Sequence, residues 1–264
     1  MKKVSIITVT YNSGRTLQRT LRSVQEQTYP EIEHIVVDGA SSDSTLAIIK
    51  ANESHIARYV SEPDRGIYDA INKGIRMATG DIIGLLNSDD VLASPETIAH
   101  VVKTMKTTHA DALYADLQYC RIEESGSLEA NRMHVVRHWQ SEEFDRHKLR
   151  FGWMPPHPTL YCRRNFLKKV GEYRTDFRIS ADYEFMLRML NREDARIVYM
   201  PEVTVNMSVG GISNRGLRNI MRKMHEDHRA LRLNHMHRPY TVLCKNLRKC
   251  KQFFQRKKTE QHKD

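Results

Sequence analysis

The feature that most constrains this chain is a set of four short apolar runs in its first third, each closed by polar turn residues. Val4-Ser5-Ile6-Ile7-Thr8-Val9-Thr10 is rich in β-branched residues and stops at Asn12-Ser13-Gly14. His34-Ile35-Val36-Val37 stops at Asp38-Gly39, Arg58-Tyr59-Val60 forms a third run, and Ile82 to Leu86 a fourth. β-Branched runs bounded by Gly, Asn and Asp read as strands. Between them lie stretches of helical spacing. Leu17, Leu21 and Val24 recur within Thr16 to Gln27, Ser42-Asp43-Ser44 precedes Thr45 to Asn52, and Tyr68 to Ala78 follows the third run. Strands alternating with helices of this length predict βαβ units and an α/β fold with a mostly parallel central sheet. Such a sheet binds ligands beyond the carboxyl ends of its strands. Four polar segments then converge on one edge: Thr10-Tyr11-Asn12, Asp38-Gly39, Glu62 to Gly66, and Asn87-Ser88-Asp89-Asp90.

The rest of the chain is less regular. Pro155-Pro156-His157-Pro158 makes a stiff connection to the run Thr159 to Cys162, helical spacing returns over Arg163 to Val170 and Ala181 to Leu190, and Arg196 to Tyr199 reads as a strand. From Leu217 the pattern is helical and basic. Charge marks a boundary there. Residues 215–264 hold 15 Lys and Arg against 4 Asp and Glu, a net +11, whereas the whole chain carries +10. The body is therefore near neutral, and the expected organisation is an α/β domain over 1–214 with a basic, mainly helical extension over 215–264. No apolar stretch approaches the roughly 18 to 20 residues that cross a bilayer, and the short run after Met1-Lys2-Lys3 lacks a signal-peptide core. The four cysteines form no CxxC pair. The expectation is a cytoplasmic protein with reduced thiols.

Asn87-Ser88-Asp89-Asp90 sits where a buried strand ends, and two adjacent carboxylates there suit a divalent cation that also holds phosphate oxygens. The same residues are good turn formers, so a simple turn is the alternative. Neither GxGxxG nor GxxxxGK[ST] occurs after any strand, which argues against dinucleotide and P-loop binding. A diphosphate held without such a loop needs a metal and basic side chains. Asp182 and Glu184 open a predicted helix two residues apart, so only one of them faces a common site. Asp69 and Lys73 have the spacing of an intrahelical ion pair. Trp153 and Met154 are candidates for an apolar wall beside a ligand, or for core packing.

In this order and spacing the chain resembles family 2 glycosyltransferases. The resemblance rests on Ile6 to Asn12, Val36-Val37-Asp38-Gly39, Ser42-Asp43-Ser44-Thr45, Ser61 to Gly74, and Thr79-Gly80-Asp81 through Asp90, then on Ser180-Ala181-Asp182-Tyr183-Glu184-Phe185. It implies a GT-A fold, an inverting transfer of a hexose from a nucleotide-diphosphate sugar, and Mg2+ or Mn2+ as cofactor. By position, Thr8, Tyr11, Asn12, Asp38, Arg65, Asn87 and Ser88 are expected to line the donor nucleotide, with Asp38 holding the base, which makes a UDP-sugar the first expectation. Asp89 and then Asp90 are the expected metal ligands, and Asp182 the catalytic base. His157, Trp153 and Glu184 are placed near the acceptor and diphosphate. Two positions depart from the family pattern: Asn87 stands where an Asp is usual, and Ala181 where an acid usually precedes the base.

The tail interleaves Leu217, Ile220, Met221, Met224, Leu231 and Leu233 with Arg218, Arg222, Lys223, Arg229 and Arg232. A basic amphipathic segment suits an anionic membrane surface. It fits a peripheral enzyme at the inner face of the cytoplasmic membrane whose acceptor is a saccharide on a lipid diphosphate, and the family resemblance implies surface-polysaccharide or O-antigen assembly as the setting. Two other classes fit less well. A nucleic-acid-binding tail leaves the near-neutral body and acidic loop edge unexplained, so no nucleic acid is expected. A nucleotidyltransferase normally carries a Gly-rich basic loop near the first strand, which Tyr11-Asn12-Ser13-Gly14-Arg15 replaces poorly.

Overall fold

The structure, a computed structural model, describes residues 2–123, 132–209, 217–236, 240–242 and 244–245. The elements run β1 (Val4–Thr10), α1 (Leu17–Gln25), β2 (Ile32–Asp38), α2 (Thr45–Ala51), β3 (Arg58–Ser61), α3 (Ile67–Met77), β4 (Ile82–Leu85), β5 (Val91–Leu92) and α4 (Thr97–Thr107). They continue with β6 (Ala112–Glu123), β7 (Arg132–Trp139), α5 (Arg146–Leu149), β8 (Tyr161–Arg163), α6 (Arg164–Val170), α7 (Ala181–Leu190), β9 (Ile197–Ser208) and α8 (Leu217–Leu233).

The strands form one sheet in the order β3-β2-β1-β4-β8-β6-β9-β5, with β7 added on β6. β3, β2, β1 and β4 are mutually parallel, as the alternation predicts. Beyond β4 the sheet is mixed: β8 is antiparallel to β4 and β6, while β6 and β9 are parallel. On one edge strand β6 pairs with β8 through Ala112 and Leu113 and then with β7 from Leu117 onward, while its other edge stays paired with β9 as far as Cys120.

Helices cover both faces. Ile7, Val9, Ile35 and Val37 point toward one face, where they pack with residues of α3, α6 and α7. Val4 and Ile6, one step out of phase, join α4 on the other, and Val36 meets α1 and α2. A two-residue period produces this division. α4 buries Ile98, Val101, Val102 and Met105, which is helical spacing in a segment the sequence reading passed over. α3 approaches β1 closely at Gly74, where a Cβ would stand 2.3 Å from Ile7 Cγ2. The Gly of the Asp69-Ala70-Ile71-Asn72-Lys73-Gly74 run is therefore a packing requirement.

The amino ends of the strands are tied by Glu33. Its buried carboxylate accepts from Ser5 Oγ at 2.6 Å, Thr79 N at 2.8 Å, Thr79 Oγ1 at 2.7 Å and Lys3 Nζ at 3.1 Å. Burial alone would raise its pKa, but these donors outweigh burial and hold it at about 2, against an ordinary 4.5. A depressed carboxylate stabilises the fold above its unfolded pKa and loses that contribution as pH falls toward its folded one. Glu33→Gln is expected to lower stability by about 2 kcal/mol at neutral pH. It should also flatten the stability loss between about pH 4.5 and 2, as read by urea unfolding across that range. An unchanged acid limb would contradict the assignment.

Candidate active site

At the carboxyl ends of β1 to β4 the loops are bound to one another by side chains. Asn12 takes a positive φ of 49°, which Asn tolerates better than most residues. Its N–H donates to Ser41 Oγ at 2.8 Å, and its Oδ1 accepts from Ser42 N at 2.9 Å. Ser13 N donates to Thr45 Oγ1, Gly14 N to Asp43, and Ser13 Oγ lies 2.8 Å from Ser88 Oγ. The loops after β1, β2 and β4 thus form one hydrogen-bonded platform.

Asp38 lies fully buried at the end of β2. Its carboxylate accepts from Ser41 N at 3.1 Å, from Ser41 Oγ, and from Ser61 Oγ at 2.6 Å. Ser41 and Ser61 were not singled out from sequence. The Asp38-x-x-Ser41 spacing carries that signal, since an Asx turn bonds forward along its own backbone. Tyr11 is 67% exposed, and its ring lies against Gly39, where a Cβ would come 3.4 Å from Tyr11 and 2.9 Å from Asp64 Oδ2. The bare Gly39 backbone leaves space between an aromatic ring and a carboxylate. Arg65, with its side chain 82% exposed, stands on the next loop, its guanidinium 3.5 Å from Asp69 and its N–H donating to Asp69 Oδ2. Lys73 goes elsewhere than to Asp69: its Nζ binds Asp64 at 2.6 Å, Glu62 at 2.9 Å and the Pro63 carbonyl at 3.1 Å, which braces this loop from beneath.

In the loop after β4 the two aspartates have separate duties. Asp90 is fully buried and accepts from Asn87 Nδ2 at 2.9 Å and from Ser208 N at 3.1 Å. Its side chain ties the loop to the end of β9. Asp89 is half-buried, and its carbonyl oxygen accepts from Ser208 Oγ at 2.5 Å and Arg19 at 3.4 Å. Burial raises the pKa of both carboxyls, and for Asp90 the neighbouring Asp89 charge adds to it. Such a pair is stabilised by a cation close by. Among the described residues no group of three or more His, Cys, Asp and Glu is arranged to hold a metal. The donor set therefore suits a cation shared with phosphate oxygens, not a closed protein cage.

The second-half motif reaches this edge through α3. Tyr68, in the first turn of α3, places its hydroxyl 2.7 Å from the Ile179 carbonyl oxygen and 3.3 Å from Asp182 Oδ1. Burial, and then the Asp182 charge, raise the Tyr68 pKa and keep the phenol protonated as a donor. Asp182 Oδ1 also accepts from Tyr183 N at 2.8 Å. Nearby, His157 Nε2 lies 2.8 Å from the Tyr173 hydroxyl, and the Tyr173 ring stacks on Phe185 with centroids 4.0 Å apart. Asn72 clamps the Tyr173 backbone on both sides, accepting its N–H at 2.9 Å and donating to its carbonyl at 2.8 Å. Burial lowers the His157 pKa, and the Asp182 charge opposes it.

Several expectations are corrected. Asp38 and Asp90 are fully buried and satisfied by protein donors, so neither is open to a base or to a cation. Thr8 does not border the opening: it is buried one residue pair inside β1, with its hydroxyl 3.0 Å from His34 Nε2, and burial lowers His34 to about 4 so that the pair is neutral. Trp153 is only 6% exposed and packs edge-on to Tyr114 at 5.8 Å and against Phe144, which makes it core and not a sugar wall. Glu184 is buried and ion-paired to Arg188 at 3.0 Å, one helical turn on, so of the two acids of α7 only Asp182 meets Tyr68.

The family model described as Glycosyl transferase family 2 matches residues 5–198. An uncharacterized glycosyltransferase of Mycobacterium tuberculosis is 35% identical over 187 residues, 70% of this chain and 68% of that one. A PGL/p-HBAD biosynthesis glycosyltransferase of Mycobacterium bovis is 29% identical over 215 residues, 80% of this chain and 78% of that one. Among solved structures, S. aureus TarS 1-349 in complex with UDP-GlcNAc aligns with a TM-score of 0.64 at 20% identity, over 88% of this chain and 65% of that one. Mannosyltransferase PcManGT from Pyrobaculum calidifontis, in complex with GDP-Man and Mn2+, aligns with a TM-score of 0.63 at 20% identity, over 93% and 70%. The chain spans 39% of the longer TarS chain. These structural likenesses carry the fold, which is GT-A. With the family pattern running from Ser5 in β1 to Val198 in β9, the chain belongs to glycosyl transferase family 2.

Proposed function

We propose that this protein is an inverting glycosyltransferase that moves a hexose from a nucleotide-diphosphate sugar, a UDP-sugar first, to a hydroxyl of a lipid-linked or oligosaccharide acceptor. The observation that carries the reading is the contact between Tyr68 and Asp182, which joins the first turn of α7 to the first turn of α3, directly after the Glu62 to Gly66 loop. Solved relatives of the same fold are titled as complexes with UDP-GlcNAc and with GDP-Man, which supports a nucleotide-sugar donor here.

In this mechanism Tyr11 and the Gly39 backbone receive the base, with Asp64 as its hydrogen-bonding partner, while Asp38, fully buried on Ser41 and Ser61, holds the loop beneath. Arg65 reaches the diphosphate with a planar guanidinium. The acceptor oxygen attacks the anomeric carbon as the bond from that carbon to the diphosphate oxygen breaks. Asp182 takes the acceptor proton, and the nucleoside diphosphate leaves. Tyr68 gives its proton to the nearer Ile179 carbonyl and so fixes the turn that carries Asp182, whose carboxylate lies 3.3 Å from the same hydroxyl. Mg2+ or Mn2+, held by Asp89 with Asp90 behind it, would supply positive charge to the leaving diphosphate.

Calorimetric titration with UDP and GDP, each with and without Mn2+, tests the donor site. One nucleotide should bind, more tightly with Mn2+, and Asp89→Ala should abolish the metal enhancement. Metal-stimulated affinity that survives Asp89→Ala would move the ligand elsewhere. Asp182→Asn should keep nucleotide affinity while lowering donor turnover by about 10²- to 10⁴-fold, the usual contribution of a general base. Unchanged turnover would remove Asp182 from that role.

The same reading places the protein in the cytoplasm, peripherally on the anionic inner face of the membrane, acting in surface-polysaccharide or O-antigen assembly. No helix among the described residues is long and apolar enough to cross a membrane. α8 leaves Ile220, Met221, Met224 and Leu233 exposed on a strongly basic segment, which supports surface binding. Most of the tail beyond, including Leu243, Leu247, Phe253 and Phe254, lies outside the described residues. The protein should sediment with anionic but not zwitterionic lipid vesicles and be released by high salt. Equal binding to both vesicle types would contradict the electrostatic part of this proposal.

A further inference from the structure

Helix α8 lies beyond the family pattern, which ends at residue 198, yet it presents two buried carboxylates, Glu226 and Asp227, to the body of the protein. A buried carboxylate persists only with donors around it. Those of Glu226 are three successive backbone N–H groups. Oε1 accepts from Arg178 N at 3.1 Å, and Oε2 accepts from Ile179 N and Ser180 N, both at 2.9 Å. Consecutive N–H groups converging on one anion form a nest, and this one lies at the positive end of the α7 dipole. The peptide segment so gripped leads directly into Ala181 and Asp182.

The opposite side of the segment is held by the site itself, because the Ile179 carbonyl accepts from the Tyr68 hydroxyl that also contacts Asp182. Glu226 on the N–H side and Tyr68 on the carbonyl side leave the turn before Asp182 little freedom. Further along α8, Arg229 pairs with the Asp176 carboxylate, donates to the Asp176 carbonyl at 3.3 Å and lies 4.6 Å above the Phe177 ring. Lys245, farther along the chain, binds Asp227 at 2.7 Å and sits 3.3 Å from the centroid of the Tyr183 ring. The extension is built onto the start of α7 from both flanks.

We propose that Glu226 is a positioning residue for Asp182: its carboxylate fixes residues 178–180 so that the first turn of α7 holds the Asp182 carboxylate toward the donor edge. This rests on the reading of Asp182 as the base. Glu226 itself touches no reacting atom, so its loss should act on turnover and leave nucleotide binding alone.

The test uses the full chain with Glu226→Ala, Glu226→Gln, Asp182→Asn and the Glu226→Ala/Asp182→Asn pair. The readouts are affinity for UDP or GDP, whichever binds, and the release of that nucleotide from its hexose donor. Glu226→Ala should lower turnover about 10- to 100-fold, the order expected when a reacting group is displaced by about 1 Å, with nucleotide affinity unchanged. Glu226→Gln keeps one acceptor oxygen, so its turnover should be intermediate, and it serves alone if the Ala variant does not fold. In the Asp182→Asn background the Glu226 change should add nothing, because both act through one carboxylate. Wild-type turnover in folded Glu226→Gln and Glu226→Ala, or a loss that adds to that of Asp182→Asn, would overturn the positioning role and leave Asp182 as the base. Wild-type turnover in Asp182→Asn would instead show that the base lies elsewhere, and both readings would fall.

Discussion

A sheet covered by helices on both faces can offer polar chemistry only at the ends of its strands. Val4, Ile6, Ile7, Ile35, Val36 and Val37 are all buried, on alternating faces, so no side chain along the middle of β1 or β2 reaches solvent. The two ends have diverged in use. At the amino ends Glu33 closes a web of donors that consumes its charge. At the carboxyl ends the same kinds of residue organise loops whose backbone and exposed side chains remain free to meet a ligand. The position of the site follows from burial before any catalytic residue is considered.

Buried carboxylates accomplish most of that organisation. Asp38 gathers Ser41 and Ser61, Asp90 joins Asn87 to β9, and Glu226 gathers three N–H groups before α7. Each spends its acceptor capacity on protein donors, which offsets the cost of burying a charge. Asp89 and Asp182 differ: both are only partly buried, and both lie next to a residue or segment anchored by one of the others. These five acids thus divide into three that build and two, Asp89 and Asp182, that stay partly open.

That division explains what was legible in the sequence. The strands β1 to β4 and helices α1 to α3 were readable because β-branched runs and apolar spacing reflect a sheet buried on both faces. The hairpin of β6 and β7 was not, since register shifts at Ala115 to Leu117 and at Tyr119/Cys120 interrupt the simple alternation. α4 had the right spacing, with Ile98, Val101, Val102 and Met105, and was overlooked among shorter signals. Residue type misled at Thr8, Trp153 and Glu184, each chemically suited to a site but turned inward by its position in strand, core or helix. The partnership of Tyr68 with Asp182, across 114 positions, had no local signature at all.

Asn87 shows how a departure from a family pattern can be read physically. A carboxylate at that position would stand beside Asp89 and Asp90 and add a third negative charge to a pair whose pKa values burial already raises. The Asn87 amide does the opposite, donating 2.9 Å to Asp90 Oδ2 while Ser208 N–H holds Oδ1. Asp90 is thereby satisfied by the protein and turned away from solvent. On the proposed reading a cation would be left to Asp89 and to the oxygens of the diphosphate, and its binding would depend on the nucleotide more strongly than in a site with two outward carboxylates. Asn87 keeps the loop and lowers its charge.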